Sequence, residues 1–515
     1  MLLFHLSMLI FCSPLASAQY DPQDSPGRSV FVHLFEWKWT DIAAECERFL
    51  GPKGFGGVQV SPPNEHRLIT TPPYPWYERY QPVSWKLTSR SGTEAEFKNM
   101  VKRCNNAGVR IYVDAVFNQM AGDRGVGSAG SPYDSNSLSY PGVPFTPSDF
   151  TNRSECHTQS GDISNYDDPN EVRNCRLLGM PDVAIYKEHT RKILENYLNR
   201  LIDIGVAGFR IDAAKHVWPE HLKGLLTCLK ALNSKWFPAG ARPFIFQEVI
   251  DQGGQTVKSI DYTGNGRVTE FKFGLQLSKG VMKRDGQMLK YYRNFGEEWG
   301  LLPTDRAVVF VDNHDNQRGH GGGGDVLTFR SPREYKIANI YMLAHPYGLP
   351  KIMSSYLWPQ NIQNNEDKNN WIGPPSDKDG RTNDVEIHSD DSCGGGWICE
   401  HRWRQITNMV AFRNIAGNSS LVHWWDNGGN QVAFGRGSTG KTTAFVVINN
   451  DNQKMQKQLQ TGLPSGNYCD VISGSRQGRL CSGKLIRVDA DGMAMFSIDN
   501  HDEDPVAAIH LDSRI

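Results

Sequence analysis

The most informative segment of the sequence is KEHTRKILENYLNRLIDIGVAGFRID, residues 187–212. In its first part, apolar residues recur at steps of three and four, which predicts an amphipathic helix over Lys187–Ile204. A short run with Phe209 and Ile211 follows, and we expect a strand over Ala207–Asp212. A helix that leads directly into a strand is typical of α/β proteins.

The same alternation extends outward from this segment over residues 31–417. Short runs rich in β-branched and aromatic residues are strand candidates: Phe31–Phe35, Gly56–Val60, Arg110–Val116, Ala207–Asp212, Phe244–Val249, Thr269–Phe273, Ala307–Asp312 and Pro350–Ser354. Further helices are predicted between them: Glu94–Asn105, Pro219–Leu232, Glu334–Ala344 and one near His401–Asn414. Eight strand–helix alternations predict a parallel (β/α)8 TIM barrel, which we assign to residues 19–117 and 185–418.

Two segments depart from this rhythm. Residues 118–184, after the third strand, are rich in Gly, Ser, Pro, Asn and Asp. A structureless insertion of this length is uncommon in a compact domain, so we expect a small irregular domain with a function. Beyond residue 418 the helical pattern stops, and runs such as Gln431–Gly435 and Thr443–Ile448 predict a C-terminal antiparallel β-sandwich over residues 419–515.

Residues 1–18 have the pattern of a secretory leader, in which the apolar stretch Leu2–Phe11 precedes the small residues 16–18. The alternative is an apolar N-terminal helix of the fold. Asn152 and Asn418 begin glycosylation acceptor motifs, which agree with secretion. The net charge of −1 and the absence of a later apolar run long enough to span a bilayer argue against nucleic-acid and membrane partners. We expect a secreted, extracellular monomer.

The cysteine spacing suggests disulfides. Three pairs lie close in sequence, Cys156 with Cys175, Cys393 with Cys399, and Cys469 with Cys481, whereas Cys46 and Cys104 are candidates for a longer-range pair. Cys228 is left unassigned, and Cys12 lies in the leader. Spacing alone does not fix connectivity, and other pairings stay open. Because no zinc-type C-x-x-C motif is present, we interpret these cysteines as disulfides of an oxidising compartment.

Polar residues cluster where the predicted strands end, which in barrel proteins is the catalytic face. They are Asp114 and Asn118 after the third strand, Arg210 and Asp212 after the fourth, Glu248 after the fifth, and His314 and Asp315 after the seventh. Three acids that converge on one opening fit glycoside hydrolysis, in which one carboxylate attacks the anomeric carbon and another donates a proton. A lone Asp at a strand end is more often a helix cap or a turn residue, so the single residues leave both interpretations open.

Longer motifs resolve this choice. DAVFN (114–118), GFRIDAAKH (208–216), QEV (247–249) and FVDNHD (310–315) resemble, in order, the signature regions of the α-amylases, and MPD (180–182) resembles a further signature in their inserted domain. The resemblance covers nearly the whole chain after residue 18 and is strongest to the chloride-activated animal branch. It implies a secreted endo-acting enzyme that hydrolyses internal α-1,4-glucosidic bonds of starch, glycogen and maltooligosaccharides by a retaining double displacement.

The resemblance also implies a role for each matching residue. Asp212 is the nucleophile, Glu248 the general acid/base and Asp315 the carboxylate that orients the distorted sugar. Arg210, two residues from Asp212, is expected to point the same way and to keep that carboxylate ionised. The residues implied to contact sugar are Trp76, Tyr77, Tyr80, Gln119, Lys215, His314 and His320.

Two ions are implied by the same resemblance. One structural Ca²⁺ joins the barrel to the insertion through oxygen donors, namely the side chains of Asn118 and Asp182 and the carbonyls of Arg173 and His216. An activating chloride is implied at Arg210, Asn313 and Lys351. Many relatives have Arg where this chain has Lys351, which keeps the charge but lacks the bidentate guanidinium.

Two further departures concern the sugar contacts. Gln119 stands where the family usually has a His that contacts the sugar beside the cleaved bond, and Tyr77 replaces a commoner Trp. Two other functions stay open: a transglycosylase or exo-acting enzyme of the same fold, and a weakened amylase-like protein that mainly binds polysaccharide. Gln119 is the feature that favours the last, although Asp212, Glu248 and Asp315 are all retained.

Overall fold

A closed barrel of eight parallel strands forms the centre of the computed structural model, which describes residues 19–321, 324, 326–438 and 440–515. The strands are, in chain order, Phe31–Leu34, Gly57–Val60, Arg110–Ala115, Gly208–Ile211, Phe244–Gln247, Arg267–Thr269, Ala307–Val309 and Leu349–Ser354. The first strand closes the barrel by pairing with the last, with Phe31 opposite Lys351. The predicted TIM barrel is confirmed, and the predicted leader, residues 1–18, lies outside the described residues.

Helices surround the barrel: Trp39–Glu45, Glu94–Asn106, Glu188–Ile204, Pro219–Leu226, Phe271–Met282, Pro332–Ala344 and Arg404–Ala416. The long helix Glu188–Ile204 buries the apolar stripe that predicted it. It ends at Gly205, whose φ of 113° lies in the left-handed region that glycine adopts most readily. Within the described part of the chain, no helix has the length and apolarity needed to cross a membrane.

The prediction was wrong at the sixth strand. This strand spans Arg267–Thr269, whereas the sequence pattern placed it at Thr269–Phe273, and the helix Phe271–Met282 begins almost at once. Glu270 accounts for the change, because its carboxylate accepts a hydrogen bond of 3.1 Å from the Lys272 backbone N–H and so caps the new helix. Phe271 and Phe273 are therefore helix residues.

The helix after the fourth strand is shorter than predicted. It ends at Leu226 and does not continue to Leu232, because Arg242 donates hydrogen bonds to the carbonyls of Leu226 and Thr227 and satisfies the last turn. The structure describes every residue between the fifth and sixth strands. This connection contains a 3-10 helix, Ser259–Tyr262, where the strand–helix alternation led us to expect an α-helix.

The segment between the third strand and the helix Glu188–Ile204 is irregular, as predicted. It contains an antiparallel hairpin of Arg124–Val126 with Pro132–Asp134 and the short helix Pro169–Asn174. Its far end returns to the barrel, where the Val183 N–H donates to the Asn118 carbonyl at 2.9 Å. The limits 118–184 stay a prediction.

Two antiparallel sheets form the C-terminal part. One comprises Ser420–Asp426, Gln431–Ser438, Lys441–Asn449 and Val506–His510, and the other Met455–Gln460, Gly466–Cys469, Leu485–Val488 and Met493–Ile498. Side chains from both sheets, such as Phe445 and Phe496 with ring centroids 5.8 Å apart, form a core of their own. The predicted sandwich is confirmed.

The four predicted disulfides are all present. They join Cys46 to Cys104, Cys156 to Cys175, Cys393 to Cys399 and Cys469 to Cys481. Cys228, which the spacing left unassigned, is not a free thiol, and no other described cysteine is free. The interpretation of the cysteines as a disulfide framework is confirmed for these pairs.

Candidate active site

One cleft of about 940 Å³ is lined by every residue predicted to act in catalysis or to contact sugar. Gln119, Asp212 and Glu248 follow the third, fourth and fifth strands, and Asp315 follows the seventh. The parallel barrel brings these residues together because it places the carboxyl ends of all its strands on one face. The remaining members line the same cleft: Trp76, Tyr77, Tyr80, Lys215, His314 and His320.

A single guanidinium lies at the base of the cleft and contacts three carboxylates. Arg210 Nη1 is 2.5 Å from Asp114 Oδ1 and 2.7 Å from Asp212 Oδ1. Arg210 Nη2 is 2.6 Å from Glu248 Oε1. Arg210 and Asp212 point to the same side of the strand, as their spacing predicted. One positive charge thus holds the predicted nucleophile and the predicted acid/base in fixed positions beside each other.

Burial affects the protonation of two acids in the cleft, Asp212 and Asp315. It raises the pKa of Asp212 well above its usual value and the pKa of Asp315 to about 7, while the positive charge of Arg210 opposes both shifts. The sequence argument placed Arg210 beside Asp212 correctly, but it omitted the larger effect of desolvation. Asp212 and Asp315 therefore retain their protons to a higher pH than exposed carboxyl groups would.

Glu248 is oriented from two sides. Its Oε1 contacts Arg210, and its Oε2 accepts a hydrogen bond of 2.9 Å from the Ala213 backbone N–H. Ala213 has a left-handed backbone with φ of 49°, an uncommon conformation for a residue with a side chain. This conformation, directly after Asp212, aims the N–H at Glu248, and strained residues of this kind concentrate at functional sites.

Aromatic side chains form one wall of the cleft. Tyr80 stacks on His314 with ring centroids 5.2 Å apart, and Trp76 meets both rings edge-on. The Trp76 indole N–H donates to the Asn370 carbonyl at 2.9 Å, which fixes the ring. Trp76 is only 5% exposed, whereas Tyr77 is more open, so Tyr77 offers the larger surface to a sugar ring.

Known proteins share this architecture. The protein-family model of the α-amylase catalytic domain matches residues 84–350 of the sequence. The family model of the α-amylase C-terminal all-beta domain matches residues 422–512. The pancreatic α-amylase of Sus scrofa is 56% identical over 99% of this chain and 100% of its own length. The chain belongs to the α-amylase family of glycoside hydrolases.

Other relatives of this α-amylase are similarly close. The α-amylase of Oryzias latipes is 55% identical over 99% of this chain and 100% of its own. A mutant of α-amylase I from Eisenia fetida, solved in complex with maltohexaose, is 51% identical with a TM-score of 0.90, covering 95% of this chain and 98% of that chain. The recognition of the family from the sequence is confirmed.

The residues predicted to hold calcium form two neighbouring pairs in this α-amylase, Asn118 with Asp182 and His216 with the segment of Arg173. Asn118 and Asp182 are on adjacent segments, since Gln119 forms an antiparallel bridge with Asp182. A ring nitrogen of His216 lies 2.8 Å from the Val172 carbonyl, next to Arg173. Burial raises the pKa of Asp182 to about 8. A buried carboxylate on a segment adjacent to an amide side chain is the kind of oxygen donor that a hard cation such as Ca²⁺ prefers.

The three residues predicted to bind chloride, Arg210, Asn313 and Lys351, are all buried, and Arg210 contacts Asp212 and Glu248 of the cleft. Lys351 is 2% exposed, and its Nζ is 3.4 Å from Gln59 Oε1. Gln59 Nε2 and both ring nitrogens of His33 are buried without a hydrogen-bond partner among the described residues. Buried donors left unpaired beside a lysine fit an anion, because each unpaired donor is costly otherwise. The Asn313 Oδ1 accepts a hydrogen bond of 3.1 Å from the Asp315 backbone N–H.

Two functional positions had no role assigned from the sequence. Asp114 is the third carboxylate on Arg210, and it also accepts a hydrogen bond of 3.0 Å from the Tyr80 hydroxyl. The sequence signal was its position at the end of the third strand, and the structure places Asp114 opposite Arg210 in the register of the third and fourth strands. The Ala213 backbone contact with Glu248 had no sequence signal, since it depends on an unusual backbone conformation.

Proposed function

We propose that this α-amylase cleaves internal α-1,4-glucosidic bonds of starch, glycogen and maltooligosaccharides with retention of anomeric configuration. The observation that carries the proposal is the placement of Asp212 and Glu248 on the two ends of one guanidinium, in an open cleft with Asp315. Retaining enzymes need their two carboxyl groups only about 5–5.5 Å apart, and a shared guanidinium favours such a short separation. The maltohexaose bound to the Eisenia fetida relative supports the substrate class.

In the first step, an Asp212 oxygen attacks the anomeric carbon while Glu248 gives its proton to the leaving glycosidic oxygen. The glycosidic bond breaks and an ester forms between the sugar and Asp212. In the second step, Glu248 accepts a proton from water, the water oxygen attacks the same carbon, and the ester bond breaks. Both residues return to their starting states, and Asp315 orients the sugar as it flattens.

Endo action is tested on amylose. Random internal cleavage lowers the viscosity of the solution early, while few reducing ends have formed. We expect this result together with a mixture of short maltooligosaccharides. A single product released from chain ends, or longer products formed by transfer, would show an exo-acting enzyme or a transglycosylase. Binding of amylose without release of sugar would show a weakened, polysaccharide-binding protein.

We propose that Ca²⁺ is held by the side chains of Asn118 and Asp182 and the carbonyls of Arg173 and His216. When bound, the ion supplies a structural link between the barrel and the insertion. Two observations support this role: Gln119, next to Asn118, forms a bridge with Asp182, and His216 contacts the segment that carries Arg173. Since the unfolded chain does not preserve this set of donors, the ion stabilises the folded state selectively.

Chelation of calcium is expected to lower the melting temperature by several degrees, because a ligand at a hundredfold excess over its Kd stabilises the fold by about 2.7 kcal/mol. Differential scanning calorimetry with and without a chelator measures the shift. The control is Asp182→Asn, which removes the carboxylate and should make the melting temperature indifferent to chelator. A wild-type melting temperature that does not respond to chelator would contradict the site.

We propose that chloride binds at Arg210, Asn313 and Lys351 and raises activity by favouring the protonated form of Glu248, as a nearby anion does for a carboxyl group. Burial lowers the pKa of Lys351 to about 7, and the charge of Arg210 adds to the effect. Lys351 is therefore mostly charged at pH 6 and mostly neutral at pH 8. An anion site built on this lysine weakens as pH rises.

The chloride concentration for half-maximal activation is expected to be about tenfold higher at pH 8 than at pH 6, because the lysine must take up a proton to bind the anion. Lys351→Arg should abolish this pH dependence, since arginine stays charged, and Lys351→Gln should remove the response to chloride. Initial rates against chloride concentration, at constant ionic strength, measure both. Equal rates in chloride and in a large inert anion for the wild type would refute the proposal.

We propose that the protein acts outside the cell as a monomer, with neutral glucans as its partners. The four disulfides support an oxidising compartment. The net charge of −1 gives no attraction to nucleic acid or to anionic lipid. Secretion of the full chain from cells and a mass measurement in solution test the two parts separately.

A further inference from the structure

Both ends of the Gln119 side-chain amide are already bonded within the protein. Its Nε2 donates to the Tyr80 carbonyl at 3.0 Å, and its Oε1 accepts from Asn118 Nδ2 at 3.0 Å. Gln119 is 2% exposed, although it lines part of the cleft. The sequence placed Gln119 at a sugar-contacting position, but its best donor is directed at the backbone. Its environment indicates a different task.

These two hydrogen bonds fix the orientation of two amides in turn. A backbone carbonyl only accepts, so the group of Gln119 that faces the Tyr80 carbonyl must be Nε2. Its Oε1 then faces Asn118, and the Asn118 group that meets this oxygen must be Nδ2. The Asn118 Oδ1 is consequently turned away from Gln119. An amide can be a cation ligand only through its oxygen, so this orientation decides whether Asn118 can bind a metal.

We propose that Gln119 is a positioning residue that orients the Asn118 oxygen for Ca²⁺ and links the metal ligand to the 3-10 helix that ends at Tyr80. This inference rests on the calcium site proposed above. The surroundings support it, because Gln119 bridges to Asp182 and the Asn118 carbonyl accepts from the Val183 N–H at 2.9 Å. The backbone of Asn118 is thus fixed by the insertion, and Gln119 fixes the remaining freedom of its side chain.

Residues that hydrogen-bond to a metal ligand without touching the metal contribute measurably to metal affinity. Their removal costs about 10–100-fold in metal binding. Gln119→Met keeps the length of the side chain but removes both hydrogen bonds, so Asn118 can then turn its N–H₂ toward the ion. We expect the Kd for Ca²⁺ to rise by at least about tenfold.

The experiment is a calcium titration by isothermal calorimetry on full-length, chelator-stripped protein. The decisive variant is Gln119→Met combined with Asn118→Asp, because a carboxylate presents an oxygen in either orientation and needs no positioning. This double variant should bind calcium at least as tightly as the wild type. Gln81→Met is the matched control, since Gln81 lies in the same region but bonds to Gly122 and Arg67. Its calcium affinity should match the wild type.

Three results would overturn the inference. They are an unchanged Kd for Gln119→Met, an equal loss in the double variant, and an equal loss in Gln81→Met. The last two would show general disturbance of the cleft and not loss of orientation. A wild type that does not bind calcium would overturn the calcium site itself, and this inference with it. A weak Gln119→Met variant, a restored double variant and a normal Gln81→Met would establish the positioning role.

Discussion

Asp212→Asn and Glu248→Gln are each expected to lower kcat by at least about a hundredfold while the protein stays folded, since general acid–base catalysis alone contributes about 10²–10⁴. Asn cannot form the sugar ester, and Gln cannot donate or accept the transferred proton. Both replacements keep the volume of the side chain. Arg210 also keeps two of its three carboxylate contacts in each variant, which preserves the base of the cleft.

Initial rates on a soluble maltooligosaccharide, with melting curves for each variant, check this expectation. Asp203→Asn is the matched control, because Asp203 is exposed on the outer helix Glu188–Ile204 and forms an ion pair with Lys230. Neither residue lines the cleft. The kcat of Asp203→Asn should equal that of the wild type. A kcat above about a hundredth of the wild-type value in either active-site variant would show that the assigned role is wrong.

Arg210→Met is expected to lower both activity and stability. It leaves Asp114, Asp212 and Glu248 without their shared cation, and breaking a buried ion pair from one side costs about 3–5 kcal/mol. The acid/base and the nucleophile also lose their common anchor, so kcat should fall by at least about a hundredfold.

The stability loss in Arg210→Met should depend on pH. A carboxyl whose folded pKa is raised above its unfolded value contributes stability at low pH that is lost as pH rises through the folded pKa. Asp315 illustrates the window, since its pKa is raised from 3.8 to about 7 by burial. Without Arg210, the loss is expected to be smallest near pH 5 and largest near pH 8. Urea unfolding at both pH values measures this, with Arg210→Lys as the variant that keeps the charge. A loss of the same size at both would contradict the electrostatic account.

The sequence was sufficient for the architecture because its periodic signals are local. The stripe in Lys187–Ile204 and the apolar runs before Asp114 and Asp212 depend on neighbouring residues, and the barrel follows from their alternation. The sixth strand was misplaced for a related reason. The apolar residues Val268, Phe271 and Phe273 alternate with polar ones in a pattern that suits either a strand or a helix. The capping contact of Glu270 decides between the two.

The sequence predicted the site residues that belong to recognisable motifs. It did not predict the contacts between segments that are distant along the chain. The motifs located Asp212, Glu248 and Asp315 in one cleft. To predict that Arg210 contacts three acids, one must know how far apart the strands that carry them lie. The two bonds of Gln119 connect the segments that carry Tyr80 and Asn118, and composition cannot indicate which way an amide faces. Contacts of this kind follow from the assembled fold.

The most direct test of the proposed mechanism is the configuration of the first product. Proton NMR can follow a concentrated enzyme acting on a maltooligosaccharide and distinguish the two anomers of the new reducing end before they interconvert. Double displacement through Asp212 predicts that the α-anomer appears first and that the β-anomer grows only later by mutarotation. Appearance of the β-anomer first would mean that water attacks the bond directly, and it would contradict the role of Asp212 as nucleophile.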